Sequence, residues 1–546
     1  MNLHIDTHTN KRITIKMKTK TVSTLPVNTH LILLAAALTV MPAFADVRLP
    51  KIFTDNMMLQ RDLPVRVFGW ADAGEQVSAT LSGKSATTKA DSNGQWALTL
   101  PALKTGENLE LLIKGKNSLT LKNVIMGDLW VCSGQSNMEM DLNGCLGRDD
   151  DLKTADLPKI RRIKINHEQS AQPQLEAPAA TPWQVCSPDT ARGFSAVGFY
   201  FAREVLAKTG VPIGIVDDNW GGTPIEPWVA TEGLEGVAEL KPEFIARQEA
   251  IKSFRAQLSN SLTQMEGWIA KTRKDLATGS ETTPMPAITT HPGGNGWSGM
   301  YNAMIHPFVQ LPIKGALWYQ GESNGGEGET YYNKMCALIG GWRQQWNQGN
   351  FPFYFVQLAS FQAASQDPAG GDGWAKLREA QTKSLTIPNT GMAVIIDTVP
   401  LAEKDDIHPK NKYDVGMRLA RWALNRDYGQ KQLEVSGPLF KALTIEGSKA
   451  RLAFDHVGTG LMVGKKEGRN PTLEDKGGKL ARFSIAGEDK KWVWADAVIE
   501  GKTVVVSSPT VTQPVAVRYA FTMNPDGCNL YNKEGLPASP FRTDAW

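Results

Sequence analysis

Ser136 lies in Gly134-Gln-Ser-Asn-Met138, directly after the apolar run Asp128–Cys132. A serine between a strand and a helix holds its hydroxyl at the sheet edge, where it can meet both a base and a substrate carbonyl. Met138 stands where a GxSxG elbow would need its second glycine, so this is a different nucleophile turn. Taken alone, such a serine is more often a helix N-cap. The second segment is Asp405-Asp-Ile-His-Pro409, a short loop after Asp397 and just before a helix-like stretch. Acyl transfer needs a base for the serine proton and a carboxylate that fixes the tautomer of that base. The Asp405-x-x-His408 spacing lets one loop supply both groups. A lone His-Pro is an ordinary turn; coupled to Ser136 it completes a nucleophile and base.

Between these segments lie Trp220-Gly-Gly-Thr-Pro-Ile225 and Trp318-Tyr-Gln-Gly-Glu-Ser-Asn324, each following an apolar strand-like run. The tetrahedral intermediate develops negative charge that must meet preorganised donors. The N–H groups of Ser136 and Gly222 and the amide of Gln320 are the donors expected here. Both glycine-rich segments are also accounted for as tight strand-to-helix turns without any catalysis.

Such a constellation needs a sheet whose strand ends converge. From about Ile125 short apolar strands alternate with amphipathic helices, the pattern of βαβ units and a mainly parallel sheet. The expected strands are Asp128–Cys132, Ile213–Asp217, Lys314–Tyr319, Pro352–Leu358 and Met392–Asp397. The expected helices are Ala196–Lys208, Thr330–Trp346, Ala375–Leu385 and Asn411–Arg426. Residues 46–124 show short alternating strands separated by turns such as Asp91-Ser-Asn-Gly94, which predicts a β-sandwich. The β pattern returns over residues 433–546 as a second β domain. Within the α/β region, residues 125–432, a polar helix-prone stretch over 240–277 looks like an insertion.

The chain has 546 residues, 41% of them hydrophobic and 21% charged, with a net charge of +3. This composition belongs to a folded multidomain protein and leaves no excess field for nucleic acid or anionic lipid. Residues 1–45 read as a signal peptide: lysines and arginine, then an apolar run from Leu31 to Val40 too short to span a bilayer, then Ala43-Phe44-Ala45 as the cleavage site. The expected location is the periplasm or the exterior, with no membrane span after cleavage. Five cysteines leave at least one unpaired. Cys145 with Cys186 is a candidate disulfide, and Cys132 is expected as a buried thiol. No Cys/His spacing suits a metal.

The segments Gly127-Asp-Leu-Trp-Val-Cys-Ser-Gly-Gln-Ser-Asn-Met138, Asn219-Trp-Gly-Gly-Thr-Pro-Ile-Glu-Pro-Trp228, Trp318–Asn324, Leu377-Arg-Glu-Ala-Gln381 and Asp406-Ile-His-Pro-Lys-Asn-Lys412, in this order, resemble the sialate O-acetylesterase family of SGNH hydrolases. The resemblance implies an α/β, flavodoxin-like SGNH domain flanked by N- and C-terminal β-sandwich-like domains, acting on O-acetylated sugars without metal or organic cofactor. It implies Ser136 as nucleophile, His408 as base, and Gly222 and Gln320 as oxyanion positions. Asp405 satisfies the superfamily Asp-x-x-His spacing and is the first choice of acid; Asp406, in the Asp-Ile-His string of these relatives, is the second.

Trp220 and Trp228 are suited to stacking on a sugar face. Glu322, Asn324 and His306 are further pocket residues, with Glu322 expected to partner its own loop. The expected partner is an O-acetylated mono-, oligo- or polysaccharide. Sialic acid competes with plant glycans such as xylan and xyloglucan, because a sialate carboxylate calls for an arginine and Arg378 is the one weak choice. A carbohydrate-binding protein without turnover is the alternative of another class. A binding module, however, has no use for Ser136, His408 and both oxyanion positions together.

Overall fold

The computed structural model describes residues 46–178, 181–286 and 296–546. The expected signal peptide lies outside the described residues. The chain is a mixed α/β protein built on a large, mostly parallel sheet with additional antiparallel sheets.

The spatial order across the central sheet is Thr390–Ala393, Phe353–Val356, Gly315–Tyr319, Ser118–Gly134, Ile213–Asn219, Leu157–Lys164 and Gln184–Cys186. All neighbours pair in parallel except the last two. Successive residues feed opposite faces, so Val131, Ala316 and Trp318 enter one buried cluster while Trp130, Cys132, Leu317 and Tyr319 enter another. Helices Ala196–Thr209 and Lys412–Arg426 contribute Phe199, Val205, Val415 and Leu419 to the second cluster. Helices Thr330–Trp346 and Gly373–Lys383 contribute Leu338, Trp342, Leu377 and Ala380 to the first. Covering both faces is why these strands read as continuous apolar runs rather than alternating ones.

The N-terminal strands do alternate: Gln95–Leu100 buries Trp96, Leu98 and Leu100 and exposes the residues between. It pairs with Val65–Trp70, while Gln76–Leu81, Lys84–Lys89 and Gly106–Lys114 form an antiparallel set joined to Ser118–Gly134. That strand is continuous for 17 residues, so it runs straight through the boundary expected at residue 124. The N-terminal apolar residues also share one buried cluster with a face of the central sheet. Beyond residue 438 three antiparallel sheets surround a cluster of their own. A single helix, Lys241–Thr278, runs for 38 residues and buries only Arg247 and Phe254.

Among the described residues all five cysteines are free thiols, which corrects the disulfide expected between Cys145 and Cys186. Each thiol instead donates to a carbonyl, Cys145 to Asp141 and Cys186 to Ala155, both at 3.3 Å. Cys132 is fully buried, and burial pushes its thiol pKa well up. Among the described residues no helix is long and apolar enough to cross a membrane.

Candidate active site

The strand register places Asn219 and Tyr319 on either side of Gly134. Three strands therefore end at one level, and the segments that follow them converge there. Gly134 has φ +136°, and a Cβ at this position would lie 2.1 Å from the Tyr319 carbonyl oxygen. Only glycine permits this close approach, which turns the chain sharply into the short helix Ser136–Glu139.

Ser136 Oγ lies 2.9 Å from Nε2 of His408, within hydrogen-bond reach across 272 residues of sequence. His408 sits in the loop before the helix Lys412–Arg426, whose start is capped by Asn411 accepting from the Asp414 N–H. The Asp406 carboxylate accepts the backbone N–H of His408 at 2.9 Å, and its Oδ1 lies 3.6 Å from Nδ1 of the same histidine. Asp405 points elsewhere: its exposed carboxylate pairs with Lys404 at 2.5 Å. The preference for Asp405 is therefore corrected. The loop folds back on itself at Asp406, which brings the nearer residue to the imidazole and leaves the DxxH aspartate in solvent.

The Trp220–Gly222 turn presses on the serine. A Cβ at Gly221 would lie 3.2 Å from Ser136 Cβ, and the Gly221 N–H donates to Glu139 Oε2 at 2.7 Å. Gly222 has φ +74° with open space at its Cβ position. Gln320 is fully buried, but its amide nitrogen faces three acceptors: Asn324 Oδ1 at 2.7 Å, Gln135 Oε1 at 3.1 Å and the Thr223 carbonyl at 3.3 Å. An amide has two hydrogens, so the expectation that Gln320 keeps a donor for an oxyanion does not fit this geometry. Its oxygen accepts from the Tyr331 hydroxyl, and the side chain braces the two loops against each other.

The proposed pocket residues divide. Trp220 is half-buried, with its ring stacked on His167 at 4.6 Å and an interplanar angle of 5°. Trp228 is fully buried; it donates to Thr223 Oγ1 and meets Trp318 edge-on, so it packs the core and presents no face to a sugar. Asn324 is buried as a loop tie, accepting from Ile225 and Gln320 and donating to Glu226 and Glu327. His306 donates through Nδ1 to the Gln174 carbonyl. Glu322 accepts from Asn137 Nδ2 at 2.5 Å, and burial raises its pKa. Arg378 is fully buried and donates to the carbonyls of Leu358, Ala359, Thr522 and Met523, which removes it as a receptor for a substrate carboxylate.

Three participants escaped the sequence reading. Glu139 fixes the Gly221 N–H and accepts from Nε2 of His167 at 2.8 Å. Its spacing of three from Ser136 was the only available signal. His167 belongs to a segment without any motif. Lys412 stood in a quoted motif but was assigned no role, although it is fully buried and donates to Asn137 Oδ1 at 2.5 Å.

The carbohydrate esterase, sialic acid-specific acetylesterase family matches residues 126–259 and 283–425. The chain belongs to this family. The sialate O-acetylesterase of Rattus norvegicus is 30% identical to it over 543 residues, covering 90% of this chain and 93% of the relative. The Homo sapiens sialate O-acetylesterase is 28% identical, covering 90% and 92%. A carbohydrate acetylesterase from Xanthomonas citri superposes with a TM-score of 0.75 at 36% identity, covering 92% of this chain and 100% of that one. This esterase is thus a carbohydrate O-acetylesterase, and its matched segments hold Ser136, Gly222, Gln320 and His408.

Proposed function

We propose that this esterase removes acetyl groups from O-acetylated saccharides through an acyl-enzyme on Ser136. The observation that carries the reading is the 2.9 Å contact between Ser136 Oγ and His408 Nε2. With the imidazole proton on Nδ1, facing Asp406, Nε2 accepts from the serine hydroxyl. As Oγ attacks the acetyl carbonyl, His408 takes the proton, and the Asp406 carboxylate stabilises the imidazolium. At 3.6 Å that support is electrostatic in the free enzyme and tightens into a hydrogen bond on substrate binding. The N–H groups of Ser136 and Gly222 receive the developing oxyanion; the first has no intrahelical acceptor at this position of the helix. His408 then protonates the departing sugar oxygen and afterwards activates the water that releases acetate.

The six strands that pair in parallel along the central sheet lie in the spatial order Leu157–Lys164, Ile213–Asn219, Ser118–Gly134, Gly315–Tyr319, Phe353–Val356 and Thr390–Ala393, which in chain order is 2-3-1-4-5-6. With Leu157–Lys164 set aside as an addition beside Ile213–Asn219, the remaining five run 2-1-3-4-5. Flavodoxin-like sheets have this order, and it supports reading residues 125–432 as an SGNH domain with flanking β regions over 46–124 and 433–546. Residues 1–45 are proposed as a cleaved signal directing export to the periplasm or beyond. The rat and human relatives carry sialate in their names, and acetylated xylan and xyloglucan are the competing substrates. The burial of Arg378 takes away the one arginine nominated for a sialate carboxylate.

Ser136→Ala tests the reading. It should abolish acetate release from p-nitrophenyl acetate while the circular dichroism spectrum persists. Retained activity in that folded variant would remove Ser136 as nucleophile. Acetate release from O-acetyl sialate, acetylated xylan and acetylated xyloglucan then ranks the substrates.

A further inference from the structure

Asn137 follows the nucleophile directly, is fully buried, and has its amide committed in three directions. Nδ2 donates to Glu322 Oε1 at 2.5 Å and to the carbonyl of Ile407 at 3.0 Å; Oδ1 accepts from Lys412 Nζ at 2.5 Å. Ile407 is the residue before His408 and Lys412 opens the helix after it. One side chain therefore joins the turn that carries the serine to the loop that carries its base.

We propose that Glu322, Asn137 and Lys412 form a buried, charge-oriented clamp of positioning residues that holds His408 in register with Ser136. This rests on the reading of Ser136 and His408 as the reacting pair.

An amide alone can flip. Here a carboxylate faces its nitrogen and an ammonium its oxygen, and reversing it would set like partial charges against both. Orientation matters because the second N–H must point at the Ile407 carbonyl. In this low-dielectric setting the two charges act more strongly than they would in water. Around Lys412 stand Glu322, Asp406 and the Cys145 thiol, with the Tyr319 ring 5.3 Å away. Burial brings the ammonium pKa down to about 8, opposed by those three neighbours. Above that pH the clamp loses the charge that orients Asn137, so turnover falls while substrate binding does not.

The test uses Glu322→Gln, which keeps an oxygen for Asn137 but no charge, together with Lys412→Met and the double variant. Rates are measured from pH 5 to 9 on p-nitrophenyl acetate and an acetylated oligosaccharide. Misplacing a catalytic group by a fraction of an ångström predicts a kcat loss of about 3- to 10-fold for Glu322→Gln and about 10- to 100-fold for Lys412→Met, with KM unchanged. Because Glu322 raises the Lys412 pKa, its neutralisation should move the alkaline fall in kcat to lower pH. The double variant should lose less than the product of the single losses, since each removes the same pair. If Lys412→Met does not fold, Glu322→Gln carries the test through its pH profile.

An unshifted profile with kcat within about twofold of wild type overturns the clamp. If Ser136→Ala is inactive in the same series, the serine reading survives that failure. An active Ser136→Ala removes both.

Discussion

Oδ1 of Asp406 lies 3.6 Å from Nδ1 of His408, whereas the carboxylate of Asp405, one residue earlier, pairs with Lys404 in solvent. Replacing each aspartate by asparagine separates their roles. Asp406→Asn should lower kcat by about 10- to 1000-fold, the range expected when a general base loses its orienting charge. Asp405→Asn should leave kcat within about twofold, because an exposed pair contributes little. Steady-state hydrolysis of p-nitrophenyl acetate measures both, and a greater loss at Asp405 would reverse the assignment.

Trp220 and Trp228 sit eight residues apart and should respond in opposite ways. Trp228→Ala opens a cavity in the core and should cost about 3–5 kcal/mol of stability in denaturant titrations. Trp220→Ala should leave stability nearly intact and raise KM for an acetylated oligosaccharide by about 3- to 10-fold, the value of one aromatic contact. An unchanged KM would mean that the Trp220 and His167 shelf does not touch the sugar.

Arg378 holds four backbone carbonyls from two parts of the chain, around residue 358 and around residue 522. Arg378→Met should destabilise the fold by about 3–5 kcal/mol, since buried carbonyls lose their charged donor. The KM ratio between O-acetyl sialate and a neutral acetylated sugar should not move. A selective loss of sialate would reinstate Arg378 as a substrate ligand.

Asp218 is buried in register with Ser133, and among the described residues neither the Asp218 carboxyl nor Ser133 Oγ has a hydrogen-bond partner. Burial pushes the Asp218 carboxyl up to about 8 from 3.8. The unfolded chain releases this proton near 3.8 and the folded chain retains it to about 8. Across that window the folded state binds more protons, and stability falls as pH rises. Asp218→Asn removes the penalty, so relative to wild type it should gain on the order of 4 kcal/mol between pH 4.5 and pH 8, about 1.4 kcal/mol for each pH unit crossed. Urea denaturation at the two pH values reads the difference, and a pH-independent offset would count against a protonated Asp218.

Local chemistry is what the sequence determined by itself. Apolar runs flanked by glycine turns placed five of the six strands that pair in parallel along the central sheet, four of them to within a few residues, because a strand buried on both faces must be apolar throughout. Leu157–Lys164 was missed, and the strand expected at Asp128–Cys132 begins at Ser118. The 3.6-residue period located Thr330–Trp346 with both ends correct and Ala196–Thr209 to within one residue. Ser136 and His408 were nominated because each belongs to a short segment whose residue types already imply a turn after a strand, and folding brings Oγ and Nε2 to 2.9 Å of each other.

Only the tertiary structure decided which neighbours those residues meet. Spacing could not choose between Asp405 and Asp406, since the direction of each carboxylate depends on how the loop folds back. Trp228 and Arg378 have the same side chains whether they face a sugar or a core, and burial assigned them to the core. Gln320 was nominated for its amide, but three acceptors from separate segments converge on that amide only after folding. The Asn137 network joins residues up to 275 positions apart, and no pattern along the chain encodes a contact that exists only when three strand ends meet.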